Sequence, residues 1–271
     1  MGSGRTSRKE LDMTDPRIAH AGFRERLRRG DRLVGTLLSL PSPELAEIAA
    51  GAGFDWLFID MEHGALGIRD LLGMLQAVRE PCAAVVRIPE LSEMWIKKVL
   101  DAGAAGLIVP RVNSAAEAAR AVQWAKFPPE GGRSVGFSRA NRYGARFQEN
   151  VETANAETAV VAQVEHVDGV KAIEAILAVP GIDAVFIGPY DLSASLGKPG
   201  RIQDPDVREA IETVRSACAR ARLPLGIFTV GSAGALQALE DGFTLVCAGV
   251  DSGLYADAAA ALVRGLKPRN P

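Results

Sequence analysis

Eight short, almost continuously apolar runs succeed one another along this chain of 271 residues, and each is followed by a stretch with helical spacing. Runs without polar alternation are strands buried on both faces, which is what parallel sheets covered by helices require. The expected strands are Leu33–Leu40, Trp56–Asp60, Ala83–Ile88, Leu107–Pro110, Val160–Val164, Ala184–Ile187, Leu225–Phe228 and Leu245–Ala248. Between them the expected helices run from Pro43 to Ala52, Ile68 to Arg79, Glu93 to Ala102, Ala115 to Lys126, Pro205 to Ala221 and Ser232 to Glu240, with one more joining the fifth and sixth strands. A helix over Asp251–Leu266 closes the set, and one over Asp15–Arg29 precedes it and plugs one end. Ser42-Pro43 has the cap and first-turn proline of a helix start. Eight alternations in a chain of this length fit a single (β/α)8 barrel.

An open, doubly wound sheet is the alternative. No GxGxxG follows the first strand and no GxxxxGK is present, which weakens it. Residues 1–14 are polar, without the apolar core of a signal peptide, and are expected to be a disordered or appended tail before a barrel domain over 15–271. The longest irregular piece, Phe127 to Asn150, is expected to be a lid or binding loop. A net charge of -2 gives no electrostatic case for nucleic acid or an anionic membrane. No apolar run reaches the roughly 20 residues of a membrane span. Cys82, Cys218 and Cys247 lack zinc spacing, so buried thiols in a reducing cytoplasm are expected.

In a parallel barrel the residues just beyond each strand meet at one mouth, and here they are polar. Asp60, Glu62 and His63 follow the second strand, Arg87 ends the third, Arg111 follows the fourth, Glu165 the fifth, and Asp191 lies a short turn beyond the sixth. His63 is the best general base, with Asp60 close enough in sequence to orient it. Arg87, at the inner end of an apolar strand, needs an anionic partner and offers a fork suited to a carboxylate or enolate oxygen. Its other role is a structural salt bridge with neighbouring carboxylates. Glu165 and Asp191 suit a hard divalent ion, and the competing role for both is helix capping. There is no HExxH and no GxSxG. Lys97, Lys98, Lys126, Lys171 and Lys267 fall on helical patterns and leave only Lys198 in a nearby loop, which argues against a Schiff base.

The segments IDMEHG, VVRIP, LDAGAAGLIVPRV, FPPEGGRSVG, AQVEHVDGV and FIGPYDLSASLG, in this order, resemble the class II, metal-dependent pyruvate aldolases of the HpcH/HpaI type, from about Arg28 to Leu266. That resemblance implies a (β/α)8 barrel that reversibly cleaves a 4-hydroxy-2-oxo acid to pyruvate and an aldehyde, using Mg²⁺, Mn²⁺ or Co²⁺. It implies Glu165 and Asp191 as metal ligands, Gln163 beside bound pyruvate, His63 as base, Asp101 as its acidic partner, Asp60 near a water on the ion, and Arg87 facing the oxo group. It also implies a homohexamer in which the helix Asp251–Leu266 is exchanged between subunits. Two departures fall where substrate specificity is set. Arg133 is followed by Ser134 where glycine is usual, and Tyr190 stands where alanine is common, so Ser134 and Tyr190 are expected to shape the pocket beyond pyruvate. The rival readings are a CoA-thioester lyase of the malyl-CoA or citryl-CoA type, for which no basic cluster suited to the CoA phosphates stands out, and a non-catalytic 2-oxo-acid-binding barrel.

Overall fold

The computed structural model describes residues 22–267. Eight strands, β1 (Leu33–Leu38), β2 (Trp56–Asp60), β3 (Ala83–Arg87), β4 (Gly106–Val109), β5 (Ala159–Val164), β6 (Ala184–Ile187), β7 (Leu225–Thr229) and β8 (Leu245–Val250), close in sequence order, and β8 pairs in parallel with β1. Closure rules out the open doubly wound sheet. Strands β2 to β6 are buried at every position, because the barrel interior covers one face and helices the other.

The helices are α1 (Phe23–Arg29), α2 (Pro43–Gly51), α3 (Ile68–Ala77), α4 (Glu93–Asp101), α5 (Ala115–Ala125), α6 (Phe147–Glu157), α7 (Val167–Lys171), α8 (Ile173–Leu177), α9 (Pro189–Ser195), α10 (Pro205–Ala221), α11 (Gly231–Glu240) and α12 (Asp251–Leu266). Helix α2 begins as expected, with Ser42 Oγ accepting from the Leu45 amide at 3.2 Å and Pro43 in the first turn. The apolar faces of the outer helices pack on the outward residues of the strands, while Trp56, Phe58, Val85, Ile108, Val161 and Phe186 fill the interior. Phe58 and Phe186 meet edge to face with centroids 5.5 Å apart.

The N-terminal end of the barrel is closed by α1. Phe23 and Leu27 pack into the interior cluster, and Arg24 Nε reaches both oxygens of Asp183 at 2.9 Å. The first part of the expected helix, 15–21, and the tail before it lie outside the described residues. The connection between β5 and β6 is two short helices, α7 and α8, that meet at Ala172, where a single helix was expected. A helix, α6, occupies part of the segment read as irregular, and α9 is a further helix that carries Asp191.

The segment Phe127–Asn150 does not lie over the mouth of its own barrel. It leaves α5 and leads through α6 into the start of β5, so it runs across the N-terminal end as a strap. Arg133 Nη2 holds Asp101 Oδ1 at 2.7 Å, and Arg139 donates to the carbonyls of Leu75 and Ala102 at 3.0 Å each. Those carbonyls belong to the final turn of α3 and the end of α4, where acceptors and dipole favour a cation. Cys82, Cys218 and Cys247 are free and buried, and burial pushes the first two thiols up to about 12. Among the described residues no helix is long and apolar enough to cross a membrane.

Candidate active site

Strand register builds the mouth. Asp60 pairs with Arg87 across β2 and β3, and Gln163 and Val164 pair with Phe186 and Ile187 across β5 and β6. Chain direction then delivers Glu62, His63, Arg111, Glu165 and Asp191 to the same edge.

Arg87 is 6% exposed and is held by a fork: Nε donates to Asp60 Oδ1 at 2.9 Å and Nη2 to Oδ2 at 2.6 Å. Its guanidinium lies over the Phe58 ring, 5.1 Å from the centroid, so the aromatic filling of the barrel is the floor of the site. The bidentate edge expected to face a substrate oxygen is therefore taken by Asp60. The remaining Nη1 lies 3.1 Å from Glu62 Oε2, an ion pair without hydrogen-bond alignment. Burial works against the Arg87 charge, but the fork to Asp60 and the nearby carboxylates more than offset it, and its pKa is raised. Asp60 does not touch the His63 imidazole. Its Oδ1 accepts the amides of Glu62 and His63 at 3.0 and 3.2 Å, which fixes the loop backbone instead. The imidazole is exposed, with Nε2 3.9 Å from Glu62 Oε2.

Glu165 caps no helix; His166 does that for α7. Glu165 is 3% exposed, takes the Arg111 amide at 2.8 Å on Oε1, and takes Gln163 Nε2 on Oε2. Arg111 presents that amide from a left-handed turn, φ 52°. Burial, then repulsion from Glu62 and Asp191, pushes the Glu165 carboxyl up to about 7. Burial raises Glu62 as well. Asp191 sits in the first turn of α9 and makes no capping bond. Gly188, at the head of α9, admits this arrangement, since a Cβ there would lie 2.6 Å from Glu165 Oε2 and 2.9 Å from Gln163 Nε2.

These residues fit a divalent cation. Glu165 is a buried carboxylate without an adequate counter-charge, a second carboxylate repels it, and Gln163 Oε1 is buried with no partner. Glu165, Asp191 and Gln163 would hold the ion. Among the described residues no cluster of three or more His, Cys, Asp or Glu forms a metal cage, so the remaining positions would fall to substrate and water.

Tyr190 is at the mouth, with its ring 6.3 Å from that of Phe228 on β7. Asp101 and Ser134 are not at the mouth. Asp101 ends α4 at the opposite end of the barrel, paired with Arg133, and Ser134 is exposed beside it. The chain does not bring Asp101 to His63. Lys198 pairs with Asp204 and Asp206 at 2.5 Å each. Glu62 was legible as a polar strand-end residue, but nothing in its spacing showed that it would stand between Arg87 and His63.

Fold and site together define a barrel enzyme that handles small oxyanionic substrates with carboxylates, a guanidinium and an imidazole at its C-terminal mouth. The sequence profile of the HpcH/HpaI aldolase/citrate lyase family matches residues 34–258. The chain belongs to that family and is an aldolase. It is 42% identical over 238 residues to a hydroxypyruvate/pyruvate aldolase of Paraburkholderia phytofirmans, covering 84% of this chain and 91% of the relative. It is 43% identical over 240 residues to the 2-keto-3-deoxy-L-rhamnonate aldolase of Escherichia coli, covering 87% and 89%. An HpcH/HpaI aldolase/citrate lyase family protein of Burkholderia cenocepacia superposes with TM-score 0.87 at 39% identity, over 90% of this chain and 98% of that one.

Proposed function

We propose that this aldolase reversibly cleaves a 4-hydroxy-2-oxo acid to pyruvate and an aldehyde, with Mg²⁺, Mn²⁺ or Co²⁺ held by Glu165 and Asp191. The observation that carries the reading is the buried, under-compensated Glu165 beside Asp191 and the orphaned Gln163 Oε1, next to the fixed Arg87. When bound, the ion supplies a Lewis acid that draws electron density from the 2-oxo acid. Gln163 and the Arg111 amide fix Glu165 so that its charge points at the substrate. Arg87, pinned by Asp60 over a dry aromatic floor, presents Nη1 toward the oxo oxygen as negative charge grows there. His63 accepts the proton of the 4-hydroxyl, the C3–C4 electron pair becomes the C2–C3 double bond of the enolate, and the aldehyde departs. Protonation at C3 completes pyruvate, and the reverse order makes the bond.

Tyr190 and Phe228 form an apolar wall that limits the aldehyde portion. Asp101 and Ser134 can serve such a mouth only from a neighbouring copy of the chain. Leu254, Tyr255, Leu262, Val263 and Leu266 are exposed on α12, which supports exchange of that helix in a homohexamer. Light scattering tests the oligomer. Three buried thiols fit a cytoplasmic setting.

The test is a panel of aldehydes offered with pyruvate to metal-free protein and to protein supplied with each ion. Turnover that requires the ion, and that disappears in Glu165→Ala and in Asp191→Ala while both variants stay folded, is the expected result. Undiminished turnover in metal-free protein removes the reading.

A further inference from the structure

A cavity of about 320 Å³ lies at the end of the barrel remote from the mouth, between α4 and the strap that leads through α6. Its charged lining is Arg133, Arg139, Arg142 and Arg146 against Glu149 and Glu157, an excess of positive charge in a chain whose net charge is -2. Two of these guanidiniums are poorly compensated. Arg133 is 5% exposed, meets one oxygen of Asp101, lies 4.7 Å from the Phe127 ring centroid, and leaves Nε buried without a partner. Arg139 donates to the carbonyls of Leu75 and Ala102 and to no carboxylate. Burial depresses both, and for Arg139 only the Tyr143 phenol works in the other direction.

The backbone around the cavity is held in an unfavourable form. Arg142 and Tyr143 are consecutive residues with left-handed φ of 53° and 54°, a conformation that residues with a Cβ adopt rarely and singly. Asn141, 4% exposed, enforces it: Oδ1 accepts the amides of Ser138 at 3.0 Å and Gly144 at 2.9 Å, and Nδ2 donates to the Gly136 carbonyl at 2.6 Å. The fold thus uses a buried carboxamide to keep Arg142 and Tyr143 on the cavity wall, where strain of this kind is retained when it serves a site.

We propose that this cavity binds a small polyanion, a phosphate ester or a di- or tricarboxylate, at a site separate from the mouth and independent of its metal. The size suits a metabolite rather than a polymer, and planar guanidiniums suit tetrahedral or carboxylate oxyanions. The same carboxylate chemistry could come from acidic side chains of a second copy, and the experiment separates the two sources.

Metal-free Glu165→Ala protein, whose mouth is disabled, is titrated calorimetrically with inorganic phosphate and with tricarballylate at constant ionic strength, with light scattering recorded alongside. Saturable binding of one anion per chain at unchanged mass is expected. Arg142→Gln should weaken it by about tenfold, the loss of one charge-assisted contact. Glu157→Gln, at an exposed position, should tighten it, and a gain of affinity cannot arise from misfolding. Absence of saturable binding, or affinities unmoved by both substitutions, overturns the proposal. Binding seen only as the assembly comes apart would assign the cavity to a second copy's carboxylates and overturn it equally.

Discussion

The Arg87 guanidinium and the Asp60 carboxylate form a two-bond fork, 2.9 and 2.6 Å, at the paired ends of β3 and β2, and Asp60 Oδ1 also gathers the amides of Glu62 and His63. One carboxylate thereby positions both the guanidinium and the loop that carries the imidazole.

Arg87→Lys is expected to be nearly as damaging as Arg87→Ala. An ammonium cannot make both bonds to Asp60, and a broken buried pair costs about 3–5 kcal/mol. Melting temperature and kcat/KM measured together check this. Wild-type values for both in Arg87→Lys would show that charge alone suffices.

His63→Ala should lower turnover by roughly two to four powers of ten, the range of general-base catalysis, with oxalate inhibition unchanged. Oxalate has no 4-hydroxyl to deprotonate. Because the imidazole is 63% exposed and lacks a close partner, the melting temperature should hardly move. An unchanged cleavage rate would discard the base assignment.

Glu165 gives metal-free protein a defined pH dependence. Its carboxyl is held at about 7 in the fold against an ordinary 4.5, so between those values the folded chain binds more proton than the unfolded one. Stability therefore falls as pH rises through the window, by at most about 3 kcal/mol. Glu165→Gln should remove that loss, melting higher than the parent at pH 8 and equally at pH 4. Divalent-ion affinity should rise about tenfold per pH unit up to roughly 7 as the proton is displaced, which calorimetry in buffers of different ionisation enthalpy would detect.

Gly188→Ala probes the cradle without backbone strain, since φ is -95°. The added Cβ meets Glu165 Oε2 and Gln163 Nε2, so ion affinity should fall by about 10–100-fold with the secondary structure intact. Normal affinity would show that Glu165 is free to move and is no fixed ligand.

The eight strands were legible because a strand covered on both faces carries an unbroken apolar run, and no other local structure of that length needs one. The site carboxylates were legible as the first polar residues after those runs: Asp60, Glu165 and, past Gly188-Pro189, Asp191. Tertiary structure alone decided what each faces. Asp60 lies three residues from His63, yet it holds Arg87, its partner across the sheet, and only the His63 backbone. Asp101, Ser134 and the strap lie at the far end because the chain reverses direction between each helix and the next strand, and sequence proximity carries no information about which end of a barrel a loop occupies. The arginines around the strap's cavity are scattered from 133 to 146 and read as a solvated loop. Their convergence depends on Asn141 enforcing two left-handed residues, a choice made by buried hydrogen bonds rather than by local propensity.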